Sequence, residues 1–116
     1  MTTRQQGQIA ETQAHDYLQQ QGLKSLARNV RSPRGEIDLI MEANDTIVFI
    51  EVRLRNRSDF GSGAESVTRS KQEKLIATAA YFLQQNKRLA KRPARFDVVS
   101  VSGQDSMDWI KNAFEV

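Results

Sequence analysis

Gly35-Glu36-Ile37-Asp38-Leu39-Ile40 and, after a short polar break, Val48-Phe49-Ile50-Glu51-Val52-Arg53 are the two segments on which the reading of the chain turns. Both are rich in apolar and β-branched residues, and Glu42-Ala43-Asn44-Asp45 between them supplies turn chemistry. They are expected to pair as an antiparallel hairpin. Side chains alternate between the faces of a strand, so Glu36 and Asp38 should share a face on the first strand and Glu51 and Arg53 a face on the second. With the turn centred between Asn44 and Asp45, Asp38 falls opposite Glu51. Directly opposed side chains have Cβ atoms only about 4.5–5.5 Å apart.

Two carboxylates held that close repel unless a cation lies between them. A divalent ion such as Mg²⁺ or Mn²⁺ suits the pair, because Mg²⁺ takes one or two carboxylates and keeps several waters. Arg53 should project roughly 7 Å beyond Glu51 along the same face, where it can meet an anion held by that metal. A salt-bridged cluster, with Arg53 neutralising two partly exposed carboxylates, accounts for the same residues. The spacing alone does not choose between them.

A chain of 116 residues is expected to form one domain spanning 1–116, with 39% hydrophobic and 27% charged residues as in a globular protein. No apolar run approaches the roughly 20 residues of a membrane span. The opening Met1-Thr2-Thr3-Arg4-Gln5-Gln6-Gly7 lacks the apolar core of a signal peptide. The absence of Cys fits a reducing compartment, so a cytoplasmic location away from membranes is expected. The net charge is +3 and the pI about 9.5. The run Lys87-Arg88-Leu89-Ala90-Lys91-Arg92-Pro93-Ala94-Arg95 holds five cations and no acid. Arg55, Arg57, Arg69, Lys71, Lys87, Arg88, Lys91 and Arg92 are therefore the candidate contacts to a phosphate backbone, with DNA the expected partner. A solvated basic loop explains the run equally well. The sequence is compatible with a homodimer.

From about Gln5 to Gln21 the pattern is helical, with Ala10, Ala14, Tyr17 and Leu18 as the apolar stripe and Gly22 as the stop. Glu11 borders that stripe, and its spacing alone favours an ordinary solvent-facing glutamate. A first strand is expected near Ser25–Val30, ahead of the hairpin. The polar stretch Leu54–Ser66 reads as a long loop, and a second helix should run from about Thr68 to Asn86. Ser70-Lys71-Gln72-Glu73 has capping-box form, with Thr68 as an alternative cap. Arg95–Val101 reads as a buried fourth strand reached by a helical crossover. Trp109, Ile110, Ala113 and Phe114 belong to a last element whose type the pattern leaves open.

The predicted order is thus helix–strand–strand–strand–helix–strand: an α/β fold with a mixed central sheet of four to five strands flanked by helices. With Ala10-Glu11, Asn29-Val30-Arg31, the two hairpin segments, Lys71, Arg95-Phe96-Asp97-Val98-Val99 and Asn112-Ala113-Phe114, it resembles the small bacterial YraN-like proteins. Those are in turn similar to archaeal Holliday-junction resolvases of the restriction-endonuclease-like fold, whose nuclease motif is written PD-(D/E)-x-K. The resemblance covers nearly the whole chain. It implies an endonuclease-like protein acting on branched or damaged DNA, with Asp38 and Glu51 as metal ligands, Glu11 joining them from the first helix, and position 53 as the catalytic basic residue.

The family usually has Lys at that last position, and this chain has Arg53. Arginine stays charged, with a pKa above about 12, so it is a poor general base. It can still orient a phosphate and stabilise developing negative charge. Three readings follow: a metal-dependent phosphodiesterase, a nucleic-acid-binding module whose nuclease site is degenerate, or an interaction protein whose acidic cluster is purely structural. On the first, Arg53→Lys is expected to raise cleavage.

Overall fold

The computed structural model describes residues 2–55, 67–102 and 106–115. Helix α1 (Thr3–Gln20) leads to strands β1 (Lys24–Ser32), β2 (Gly35–Ala43) and β3 (Thr46–Leu54). Helix α2 (Arg69–Gln85) and a 3₁₀ turn (Leu89–Lys91) then precede β4 (Ala94–Ser102) and β5 (Ser106–Phe114). The five strands form one sheet in the order β1-β2-β3-β4-β5. Neighbours are antiparallel except β3 and β4, which run parallel because α2 carries the chain back between them. This is the mixed α/β architecture expected. The element left open around Trp109 is β5, which covers the outer edge of β4.

Helix α1 starts earlier than its apolar stripe suggests. Thr2 caps it, accepting from the Gln5 N–H at 3.1 Å, while the Gln5 side chain accepts from the Thr2 N–H at 2.8 Å. That reciprocal box needs only Thr-x-x-Gln. The helix ends at Gly22, whose φ of 100° is one that L side chains rarely adopt. Helix α2 is capped by Thr68, the alternative to Ser70: its side chain accepts from the Lys71 N–H at 3.2 Å.

The helices cover opposite faces of the sheet. Ala10, Ala14 and Leu18 of α1 pack on Leu39, Met41, Val48, Ile50, Val99 and Val101. Leu75 and Ala79 of α2 pack on Ile37, Ile40, Ile47, Phe49, Phe96 and Val98. Strands β3 and β4 therefore bury both faces, which is why they read as continuous apolar runs.

Strict alternation fails beside the acidic pair, and the register also shifts between Ser25 and Ala27 and between Phe96 and Val98. Ile37 and Ile40, three apart on β2, both face α2, and so do Ala27 and Val30 on β1. The ladder pairs Arg28 with Leu39 and Val30 with Ile37, so the irregularity falls on Asn29 and Asp38. Asn29 has a φ of 51°, in the left-handed region that asparagine tolerates better than most residues. The phase of the sheet thus changes at Asp38.

Two further residues hold the far end and the edge. Arg92 donates to the carbonyls of Asp45 (2.8 Å) and Asn44 (2.9 Å) and to Glu42 Oε2 (2.8 Å), clamping the β2–β3 turn. Asp97, 1% exposed, accepts from Arg95 Nε (3.0 Å), Trp109 Nε1 (2.9 Å) and the Asn112 N–H (2.9 Å), tying β5 to β4.

Candidate functional site

The β2–β3 ladder pairs Ala43 with Thr46 and runs to Leu39 opposite Ile50. One step further in that register brings Asp38 opposite Glu51, as the turn-centred arithmetic requires. Backbone pairing has stopped by then, and the Asp38 side chain enters the gap: Val52 N–H donates to Asp38 Oδ2 at 2.8 Å. Burial pushes the Asp38 carboxyl up to about 8, and the negative charges of Glu51, Glu11 and Glu36 push the same way against the Val52 hydrogen bond.

Glu51 alternates with Ile50 and Val52, which face α1, and so points toward α2. It is 6% exposed. Lys71 lies one turn before the buried Leu75, so it occupies the sheet-facing stripe of α2 at the point where the sheet ends. Its Nζ stands 2.7 Å from Glu51 Oε1, and Arg53 Nη1 stands 3.8 Å from the same oxygen. Lys71 therefore belongs to the acidic pair rather than to an outlying phosphate track. The spacing Lys71–Leu75 on an amphipathic helix was the available signal for this.

On the α1 side, the charge of Glu11 acts on Asp38, and its described hydrogen bond runs to Asn29. Glu11 Oε1 accepts from Asn29 Nδ2 at 2.8 Å, and the same Nδ2 donates to Glu36 Oε1 at 3.1 Å. Arg31 adds an ion pair to Glu36 at 3.6 Å. Together with Arg4, Gly7 and Gln8 these residues line an open cleft of about 410 Å³. Asn29 and Glu36 were absent from the site expected from sequence. The left-handed Asn29 aims its amide between two carboxylates, which no periodic pattern reveals.

Among the described residues no three carboxylate or imidazole groups gather as a metal-ligand set. Asp38 and Glu51 alone fit a hard dication, because Mg²⁺ needs only one or two carboxylates and keeps its remaining waters. Asp38 is lifted first by burial and next by the charge of Glu51, and a dication would relieve the second of these. The described contacts to the pair fall on Asp38 Oδ2 and Glu51 Oε1.

The other expected phosphate contacts divide between two ends of the sheet. Arg55 follows β3, donating its N–H to the Val101 carbonyl, and Arg69 opens α2, so both belong to the end of the chain's elements that carries Glu51 and Lys71. Lys87, Arg88 and Lys91 are exposed at the opposite end, with Arg92, near the hairpin turn. Glu51 is six residues beyond Asp45, about 20 Å at 3.3 Å per residue. The basic run thus does not surround the acidic pair. Arg57 lies outside the described residues, as does most of the loop expected over Leu54–Ser66.

The fold and this ionic cluster define a class: small α/β/α proteins whose β2–β3 ladder ends at a buried aspartate and a buried glutamate, the glutamate met by a lysine from the crossover helix. Residues 10–101, which take in Glu11, Asp38, Glu51, Arg53 and Lys71, match the uncharacterised protein family UPF0102, and the chain belongs to that family. It is 48% identical over 112 residues to a UPF0102 protein of Pseudomonas fluorescens strain Pf0-1, covering 96% of this chain and 93% of that one. A UPF0102 protein of Saccharophagus degradans is 50% identical over 108 residues, covering 93% and 91%. These are the YraN-like proteins to which the sequence resemblance pointed. Among the described residues, no helix is long and apolar enough to cross a membrane.

Proposed function

We propose that the protein is a metal-dependent phosphodiesterase acting on DNA, with Asp38 and Glu51 as the ligands of one Mg²⁺ or Mn²⁺. The observation that carries this reading is the register that brings Asp38 to Glu51, together with the lift of Asp38 by burial and by its neighbour's charge. Perturbed carboxylates collect where function needs them. A bound dication would supply Lewis-acid polarisation of the phosphate and a more acidic water. The chain's own residues do the rest. Val52 fixes one Asp38 oxygen, leaving the carboxylate oriented, and Arg53 offers a fixed positive charge to the non-bridging oxygens as they gain charge. In the reaction a water oxygen bonds to phosphorus as that water gives up a proton to solvent, the ester P–O bond breaks, and the leaving oxygen takes a proton from solvent. Arg55 and Arg69 would hold flanking phosphates, and Glu11 would act through Asn29 and Glu36 rather than as a ligand.

The test is a Mn²⁺ titration paired with cleavage of single-stranded, duplex and four-way-junction DNA. Asp38→Asn and Glu51→Gln should each weaken metal binding and abolish cleavage. Cleavage that persists in both variants would overturn the reading. A natural protein that binds DNA without cutting any of the three substrates would support the second reading, an inert binding module, which Arg53 at the usual lysine position favours.

A further inference from the structure

We infer that Lys71 is the working lysine of this site: from α2 it donates to a non-bridging oxygen of the scissile phosphodiester, a contact that position 53 cannot make in the same way. This rests on the phosphodiesterase reading and adds a catalytic residue to it. Three observations carry it. The ammonium is 2.7 Å from Glu51 Oε1, closer than Arg53 at 3.8 Å. Its placement is built in, because Thr68 caps the helix on the Lys71 N–H and Leu75, one turn on, anchors that face in the core. Finally, Glu51 is 6% exposed while Lys71 is 38% exposed, so the lysine reaches the buried carboxylate from the solvent side.

The charges support the same assignment. Lys71 brings its ammonium to the carboxylate that would hold the dication, so the same charge can face an anionic phosphodiester bound there. An ammonium has three rotatable donors on a flexible stem and can keep one on Glu51 while giving another to phosphate. No proton leaves Lys71 in this role. It stabilises the charge that builds on the non-bridging oxygen while the water–phosphorus bond forms and the ester bond breaks.

The experiment uses the full chain, with Lys71→Gln and Lys71→Arg. Affinity for a short DNA duplex is measured against NaCl in EDTA, and cleavage is measured separately in Mn²⁺. Loss of one phosphate contact should make the slope of log affinity against log salt shallower by about 0.9 in Lys71→Gln. Lys71→Arg should keep the slope. Both variants should lose on the order of 100-fold in cleavage, the scale of removing one charge-stabilising donor. A purely structural lysine would lower the melting temperature and leave the slope unmoved, which would overturn the inference, as would full cleavage by either variant. If Lys71→Gln does not fold, Lys71→Arg decides by cleavage alone. A natural chain that cuts nothing, with a slope that still falls in Lys71→Gln, removes the phosphodiesterase reading and keeps Lys71 as a phosphate contact.

Discussion

Val52 N–H donates to Asp38 Oδ2 across 2.8 Å, so a side chain takes over a hydrogen bond at the point where β2 and β3 stop pairing. The carboxylate closes the end of the ladder and is buried there beside Glu51. Its position comes from the phase change at Asn29 and Asp38, so the backbone irregularity and the lifted carboxyl share one cause.

That burial makes stability depend on pH with a definite sign. Asp38 is lifted from the usual 3.8 to about 8, chiefly by burial, so the folded chain holds a proton that the unfolded chain has lost. The contribution of Asp38 to stability is then greatest at or below about pH 4, declines as pH rises toward 8, and levels off above it. Asn at position 38 can still accept from Val52 and carries no charge. Asp38→Asn should therefore exceed the natural protein in stability at pH 8–9 by about 1–4 kcal/mol, at roughly 1.4 kcal/mol per tenfold change in proton affinity. Denaturant unfolding at pH 5, 7 and 9 measures this. A natural protein that gains stability between pH 5 and 8 relative to the variant would contradict it.

Arg92 and its basic neighbours should separate cleanly. Arg92 gives three hydrogen bonds to the hairpin turn and is 23% exposed, whereas Lys87, Arg88 and Lys91 are solvent-facing. Arg92→Ala is expected to cost about 1–3 kcal/mol, since it strands Glu42 and two carbonyls. It should leave the salt dependence of DNA affinity unchanged. Neutralising Lys87, Arg88 and Lys91 together should do the reverse, flattening the salt slope with little effect on thermal stability.

Asp97 makes a sharper test of the sheet edge. Its carboxylate collects Arg95, the Trp109 indole and the Asn112 backbone in a site 1% exposed. Removing it leaves a guanidinium and two N–H groups short of an acceptor. Asp97→Ala should cost about 3–5 kcal/mol, as for breaking a buried pair from one side. Trp109 is the chain's one tryptophan, so detachment of β5 would report directly as a shift in fluorescence.

What the sequence revealed and what it concealed divide by periodicity. The β2–β3 register was legible because hairpin register is counted from a turn, and Asn44-Asp45 marked that turn. The two helices were legible from Ala10–Ala14–Leu18 and from Leu75–Ala79, and Lys71 could have been placed from the same stripe. Strand β5 was ambiguous because Met107, Trp109 and Ile110 are half-buried on an edge, where alternation weakens. The Glu11–Asn29–Glu36 bridge was hidden because it depends on one left-handed residue. The separation of the basic run from the acidic pair is a matter of strand direction, and a count of cations along the chain does not carry it.

Arg53→Lys brings these threads to one measurement. Sequence alone leads to an expected gain in cleavage, since the lysine usual at position 53 would be restored. The Lys71 contact changes that expectation. With an ammonium already 2.7 Å from Glu51 Oε1, a second one at position 53 keeps the charge now carried by Arg53 at 3.8 Å and supplies no missing chemistry. Arg53 is one-third exposed on its side chain, so the shorter fork costs about 1 kcal/mol or less in stability. Arg53→Lys should therefore fold normally and cleave within about threefold of the natural protein, well under the tenfold that 1.4 kcal/mol in a barrier represents. A gain above tenfold would mean that position 53 was short of its lysine and that Lys71 is a counterion to Glu51. A loss above tenfold would make the guanidinium itself the group that meets the phosphate, with its fixed fork as the reason an ammonium cannot replace it.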